Sequence, residues 1–349
     1  MITLPLRGRA ALDNPPARFR RQHHEPLDGP DVSPATVVHE DRSRSILVRN
    51  NSPDVPFTWS LNAYRGCEHG CVYCYARPTH EYLDLSPGLD FETQIYVKHD
   101  AARLLRQELL RPNWQPAVIA MSGVTDAYQP LERRLQLTRQ CLEVLAEFRN
   151  PVSIVTKSRL VTRDVDLLRE LAAHEAVSVC LSITTLDAEL ARLMEPRAPQ
   201  PLGRLAAIRQ LAAAGIPVGG MVAPVLPGLT DHEVPAILAA ARQAGASFAG
   251  YIMLRLPFGV KELFQQWLAQ HFPGRERKVL RRVRELRGGR LNDPRFGTRM
   301  SGEGIWATLA KQTFELHRKR LGFAERGPDL STAAFHRPGP RQQLLFEMV

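Results

Sequence analysis

The run Cys67-Glu-His-Gly-Cys71-Val-Tyr-Cys74 places three thiols inside eight residues of a 349-residue chain that holds five cysteines in all. Three and then two intervening residues let one tight loop present three ligands to a metal centre, and Gly70 relieves the turn between the first two. A [4Fe–4S] cubane has four corners, so three protein thiolates leave one iron open to something else. A structural zinc site wants four ligands, and His69, His80 or a distant histidine would have to complete it. An intramolecular disulfide is a third reading. Sparse cysteine, no signal peptide and no apolar run of membrane length weigh against it and lead us to expect a reducing cytoplasm.

The longer run Asn62-Ala-Tyr-Arg-Gly-Cys67-Glu-His-Gly-Cys71-Val-Tyr-Cys74-Tyr-Ala-Arg77 resembles the branch of the radical S-adenosylmethionine (SAM) superfamily that contains spore photoproduct lyase. Ser122-Gly-Val-Thr-Asp126, Thr156-Lys-Ser158, Ser182-Ile-Thr-Thr-Leu-Asp187, Glu195-Pro-Arg197 and Pro224-Val-Leu-Pro-Gly-Leu-Thr-Asp231 carry the same resemblance in order, over roughly residues 58–325. The match is better to uncharacterised bacterial relatives of the lyase than to the lyase itself. The resemblance implies one [4Fe–4S] cluster on Cys67, Cys71 and Cys74, with SAM chelated at the open iron. It further implies reductive cleavage of SAM to a 5′-deoxyadenosyl radical, and an external electron donor of the flavodoxin or ferredoxin type. The cofactor carries that chemistry and the protein supplies binding, orientation and shelter.

The same resemblance assigns the other site residues. Tyr73 lies along the adenine. The backbone of residues 122–126 receives the SAM amino group, which brings in Gly123, Thr125 and Asp126. Lys157 holds the carboxylate or the ribose, Ser182 matches a SAM-contacting serine, and Arg197 is a second carboxylate candidate. Tyr75 matches a tyrosine near the radical path and is the catalytic candidate. The bland alternatives are a solvated lysine at a strand end, a surface salt bridge for Arg197, and a Tyr75 that only packs against the loop. The lyase has a hydrogen-donating cysteine where this chain has Gly123, so that donor step cannot occur at this position. Of the remaining thiols, Cys141 lies with Leu145 and Phe148 at i, i+4 and i+7, a buried helix face. Cys180 shares a strand face with Ser182 and reads as a small core residue one residue pair deeper.

These residues need a scaffold. With 44% hydrophobic residues the chain can bury a large core. From position 58 short apolar runs alternate with amphipathic stretches, predicting strands at 58–61, 117–121, 152–156, 176–183, 218–224 and 249–254. Helices are expected at about 99–111, 131–148, 164–173, 201–214, 231–244, 260–270, 276–287 and 303–320. The expected fold class is α/β, and the order resembles the partial, TIM-like (β/α)6 barrel of radical SAM enzymes. There the loops at the carboxyl ends of the strands carry function. Four regions follow: a Pro-rich, largely disordered extension (1–57) with eight of the 27 prolines, a barrel (58–270), a basic helical region (271–326) and a flexible tail (327–349). Residues 45–49 are an edge-strand candidate.

The formal charge is +10, and residues 271–300 hold ten Lys/Arg against three acids. Such clustering suggests a phosphate-binding face for DNA or RNA over 275–299; its alternative is a solvated charged helix. The tail motif Gln342-Gln-Leu-Leu345-Phe346 resembles short peptides that bind the bacterial sliding clamp, a peptide-in-groove mode; a tail folded back on its own domain is the other reading. The expected function is a radical SAM enzyme acting on nucleic acid, in repair or modification. The alternatives are a radical SAM catalyst for a small molecule or protein side chain, and a non-catalytic Fe–S or zinc nucleic-acid-binding module.

Overall fold

Short apolar strands separated by amphipathic helices can bury both faces of a sheet only when the helices cross over between parallel strands. The computed structural model, which describes residues 8–19 and 35–339, has this arrangement. Its strands are β1 (Val37–Glu40), β2 (Leu47–Arg49), β3 (Trp59–Leu61), β4 (Tyr64–Arg65), β5 (Gln94–Val97), β6 (Ile119–Met121), β7 (Val152–Thr156), β8 (Val177–Ser182), β9 (Val218–Val225) and β10 (Phe248–Met253). Among the described residues, seven of them form one sheet in the order β10-β9-β8-β7-β6-β3-β2. Neighbours from β3 to β10 run parallel, and β2 closes the far edge antiparallel to β3. The expected strands are all present, and the 45–49 edge strand is β2. A second small sheet, β1-β5-β4, was not legible in the pattern.

The helices are α1 (Leu89–Thr93), α2 (Ala101–Leu110), α3 (Glu132–Leu135), α4 (Leu137–Phe148), α5 (Val165–Ala172), α6 (Ala188–Met194), α7 (Pro201–Ala213), α8 (Val234–Gln243), α9 (Val260–His271), α10 (Pro273–Leu286) and α11 (Gly304–Arg320). Strand residues Ile119, Ile154, Val179, Leu181 and Val222 pack with Leu105, Leu142, Leu168, Ile208 and Leu238 in one apolar core. Each such side chain, fully buried, contributes about 1.5–3 kcal/mol. A second cluster joins Cys71, Val72 and Tyr73 to Met194, Leu254, Phe264, Trp267, Val279 and Val283. Helices α9 and α10 therefore scaffold the cysteine loop directly.

Two expectations change. The single helix expected over 131–148 breaks at Gln136, whose φ is 54°. The buried Glu132 carboxylate accepts from the Thr138 amide at 3.1 Å and caps the start of α4, which a continuous helix would forbid. The region 1–57 is also more firmly held, where it is described, than its proline content predicts. Arg9, Ala10, Ala11 and Ala17 are buried. Arg9 donates to the Glu92 carbonyl at 2.9 Å, the Ala11 amide to Glu92 Oε1 at 3.0 Å, and Arg18 pairs with Glu81 at 2.7 Å. A segment without regular pairing is fixed here because acidic side chains of the segment after the cysteine loop satisfy its backbone. The motif at 342–346 lies outside the described residues. Among those residues no helix is long and apolar enough to cross a membrane.

Candidate active site

The cysteine loop leaves β4 through Gly66, at φ 82°, where a Cβ would stand 2.8 Å from His80 Cε1. Gly70, at φ 65°, turns the chain between the first two thiols, and a Cβ there would lie 2.6 Å from Glu92 Oε2. Backbone bonds from Gly70 N to Cys67 O and from Cys74 N to Cys71 O, both 3.2 Å, close the turns. Arg77 sits fully buried behind the loop. Its Nε donates to Cys71 O at 2.9 Å and its Nη2 to Gly70 O at 3.0 Å, while Glu92 balances its charge at 2.5 Å. A guanidinium aimed at two loop carbonyls fixes the backbone that carries the thiols.

The three thiols are free; Cys67 and Cys71 are buried and Cys74 is half-buried. Burial raises the Cys71 pKa well above its ordinary value, with Glu195 adding to the rise. Burial and the neighbouring Cys67 push Cys74 up to about 11. Thiols in this setting ionise when a metal centre binds them. Among the described residues no three His, Cys, Asp or Glu side chains converge on a point that one ion could occupy. His69 is committed to Asp126, Nδ1 to Oδ2 at 3.4 Å. His80 donates from Nε2 to the Gln94 carbonyl at 2.8 Å, while its Nδ1 is buried without a partner.

The ends of four parallel strands bring the expected polar residues to one wall beside this loop. After β6, Asp126 accepts from Thr156 Oγ1 at 2.6 Å and from the Lys157 amide at 2.8 Å. Burial would raise its pKa, but His69 and these donors outweigh that and hold it at about 2. At the end of β7, Lys157 donates from Nζ to Ser182 Oγ at 2.8 Å and to the Ala223 carbonyl at 3.3 Å. It lies 3.7 Å from Glu195 Oε1 and 5.7 Å from the Tyr73 ring centroid. Burial pulls Lys157 down to about 8, Arg204 adding to the fall against the charges of Cys71 and Asp126. The Tyr73 hydroxyl bonds Glu195, and Thr184 joins it at 3.0 Å; Glu195 in turn pairs with the buried Arg204. Tyr73, Asp126, Lys157 and Ser182 thus form one connected group.

Other expected residues stand elsewhere. Thr125 donates to the Gly66 carbonyl at 2.7 Å and braces the base of the cysteine loop. Arg197 pairs with Glu68 at 3.1 Å and reaches Thr36 at 3.3 Å, and its amide donates to the His69 carbonyl at 3.4 Å. Gly123 N and Val124 N both donate to Asn62 Oδ1, at 2.9 and 3.0 Å. Tyr75, half exposed, donates to the Gly123 carbonyl at 2.8 Å, with the Arg255 guanidinium 5.2 Å from its ring centroid. Cys141 is fully buried, and burial raises Cys180 to about 12. Asn62, Arg77 and Glu195 lie within the sequence motifs but their roles depend on distant partners; Arg255 has no sequence signal beyond its place after the last strand. A cavity of about 600 Å³, bordered by Gly228, Arg275, Lys278, Arg282 and Trp306, shares no residue with this constellation.

The basic stretch divides in two. Arg282 pairs with Asp231, Arg295 with Asp293 and Glu303, and Arg299 with Asp54, while Arg287 is 2% exposed and donates to backbone carbonyls. These four are tied to partners within the fold, Arg295 from an exposed position. Arg275, Arg277, Lys278, Arg281, Arg284 and Arg290 are exposed.

A parallel α/β sheet with three free thiols and a polar wall at the carboxyl ends of its strands defines the class. The profile of the radical SAM superfamily matches residues 61–241, and the chain belongs to that superfamily of enzymes. Family and fold together support SAM binding. Uncharacterized proteins of Mycobacterium tuberculosis and Mycobacterium bovis are 42% identical over 253 residues, covering 72% of this chain and 73% of theirs. One from Methanocaldococcus jannaschii is 32% identical over 173 residues, 50% of this chain and 62% of its own. Among solved structures, spore photoproduct lyase complexed with dinucleoside spore photoproduct superposes with a TM-score of 0.60 at 17% identity, over 82% of this chain and 80% of that one. A mutant of that lyase with bound AdoMet and dinucleoside spore photoproduct gives 0.58 at 18% identity. The chain shares the lyase's fold, and by sequence it stands nearer the uncharacterized proteins than the lyase.

Proposed function

We propose that this chain is a radical SAM enzyme that holds one [4Fe–4S] cluster on Cys67, Cys71 and Cys74, cleaves SAM reductively and acts on a nucleic-acid substrate. In this reading the parallel strands β3 and β6–β10 form the partial (β/α)6 barrel and the site lies at its mouth. The observation that carries the reading is the pairing of a braced three-thiol loop with the Tyr73–Lys157–Ser182–Glu195 wall. When bound, the cluster supplies the electron that splits SAM into methionine and a 5′-deoxyadenosyl radical. The protein's part is positioning. Arg77 fixes the loop, Lys157 offers a cation to the SAM carboxylate or ribose, and Tyr73, held by Glu195, offers a ring edge to adenine. Asp126 orients the loop after β6 so that its backbone meets the amino group. Tyr75, facing outward, lines the space where substrate approaches.

A zinc module is less well supported, because residues 61–241 match the radical SAM superfamily. The exposed cations of α10, and a fold shared with an enzyme complexed with a dinucleoside spore photoproduct, favour nucleic acid over a small molecule or protein side chain. The reductant is an external flavodoxin- or ferredoxin-type protein, and the setting is the reducing cytoplasm. The sliding clamp is a further proposed partner, through the tail at 342–346. The test is isotopic. Anaerobic turnover with uniformly deuterated DNA and RNA oligonucleotides should carry deuterium into 5′-deoxyadenosine; label arriving only from deuterated peptides or metabolites would overturn the nucleic-acid assignment.

A further inference from the structure

β10 ends at Met253, and two residues on Arg255 lies over the Tyr75 ring, 5.2 Å from its centroid. Its surroundings are short of acceptors. Arg255 Nε is buried with no hydrogen-bond partner, and Nη1 reaches only the Met300 thioether at 3.5 Å, a weak acceptor. The nearby carboxylate is committed: Asp54 accepts from the Gly297 amide at 2.7 Å and pairs with Arg299. Arg287, only 2% exposed, donates to the carbonyls of Met253, Leu254, Thr298 and Arg299, yet its Nε is also buried and unpartnered. Burial and Arg299 lower the Arg255 pKa, and burial and Arg255 lower that of Arg287. Arg255 therefore feels the positive charge of Arg299 and Arg287, while the nearby carboxylates Asp54 and Asp293 are already paired.

A buried charged donor without an acceptor is costly, and buried polar groups that lack partners call for an explanation. An oxyanion supplied from outside provides one. Tyr75 directly follows Cys74 and its hydroxyl holds the Gly123 carbonyl, so an anion gripped by Arg255 lies between the cysteine loop and the last strand. The exposed Arg275, Arg277, Lys278, Arg281 and Arg284 extend positive charge along α10, whose C-terminal cap is Arg287. A strand of repeating phosphates uses such a line of charges, and a lone carboxylate does not.

We propose that Arg255 is a substrate-binding residue that takes a phosphodiester oxygen of a nucleic-acid strand beside Tyr75, with Arg287 and Arg299 supplying the positive field. This rests on the nucleic-acid reading above. The test uses the full chain, anaerobically reconstituted, and the fluorescence anisotropy of a labelled single-stranded deoxyoligonucleotide at low salt. Arg255→Gln should weaken binding about tenfold and reduce the salt slope by about one, while Arg103→Gln, on distant α2, leaves binding unchanged. Arg255→Lys keeps the charge but loses the fork and should fall between, which preserves the test if the glutamine variant fails to fold. Wild-type binding by both Arg255 variants, with weakened binding by Arg277→Glu/Arg281→Glu, would overturn the Arg255 assignment and leave the nucleic-acid reading standing. No oligonucleotide binding by the wild type, with Arg255-dependent binding of a carboxylate probe such as N-acetylglutamate, would overturn both.

Discussion

Tyr73 and Tyr75 are two residues apart and face two differently built halves of one site. Behind Tyr73, Glu195 collects the Tyr73 hydroxyl, Thr184, Lys157 and Arg204, and nearly every charged group has its counterpart. Beyond Tyr75, Arg255 and Arg287 keep buried donors without acceptors. A wall satisfied in advance suits a ligand that is the same in every turnover, because preorganised groups need no rearrangement. An unsatisfied rim suits a ligand that arrives and leaves. In the proposed function the satisfied half is the cofactor side and the unsatisfied half the substrate side.

The largest test removes the shared edge of the two halves. Replacing Cys67, Cys71 or Cys74 with alanine should drop reconstituted iron from about four per chain to a trace and abolish 5′-deoxyadenosine formation. Full iron in any of these variants would move the cluster elsewhere. On the satisfied side, Glu195→Gln leaves Arg204 buried without its counter-ion and should cost about 3–5 kcal/mol in urea unfolding. A loss below 1 kcal/mol would mean that the wall is not held by Glu195.

The pH prediction belongs to the base of the loop. Burial lowers the His80 pKa from 6.5 to about 4, against the bond to the Gln94 carbonyl. The unfolded chain binds this proton below about 6.5 and the folded chain only near 4. The stability contribution is therefore complete above 6.5 and lost as pH falls toward 4, about 2 kcal/mol of it by pH 5. His80→Gln should flatten that part of the profile; an unchanged slope would contradict the buried neutral imidazole. The smallest expected effects compare two glycines. Gly70→Ala combines a left-handed φ with a Cβ against Glu92 and should cost at least about 1–2 kcal/mol. Gly123→Ala meets only ordinary contacts at 3.5–3.6 Å and should stay within about 0.5 kcal/mol. Equal losses would erase the distinction between a loop shaped for its ligand and one with room to spare.

What could be read from sequence was whatever is local. The three-cysteine spacing, the strand runs and the strand-end positions of Asp126, Lys157 and Ser182 are features of a few adjacent residues, and the fold placed them together. What was hidden depends on partners far along the chain. The break at Gln136 is set by Glu132, Tyr64 and Arg163, and the hold on residues 8–19 is set by Glu81, Asp90 and Glu92. The partner of Arg197 was equally hidden, because Glu68 is far from it in sequence. The basic stretch looked uniform because charge alone does not show that Arg282, Arg287, Arg295 and Arg299 are tied to partners within the fold. Arg255 carried no motif at all; only the missing acceptors around it mark it.

The central claim is that the three-thiol loop and the Tyr73 wall together cleave SAM. The most direct measurement is 5′-deoxyadenosine formed by the anaerobically reconstituted chain with SAM and dithionite, alongside iron content. The account predicts dithionite-dependent 5′-deoxyadenosine at about four irons per chain, absent from the Cys71→Ala variant. A fully loaded cluster that leaves SAM intact would contradict it.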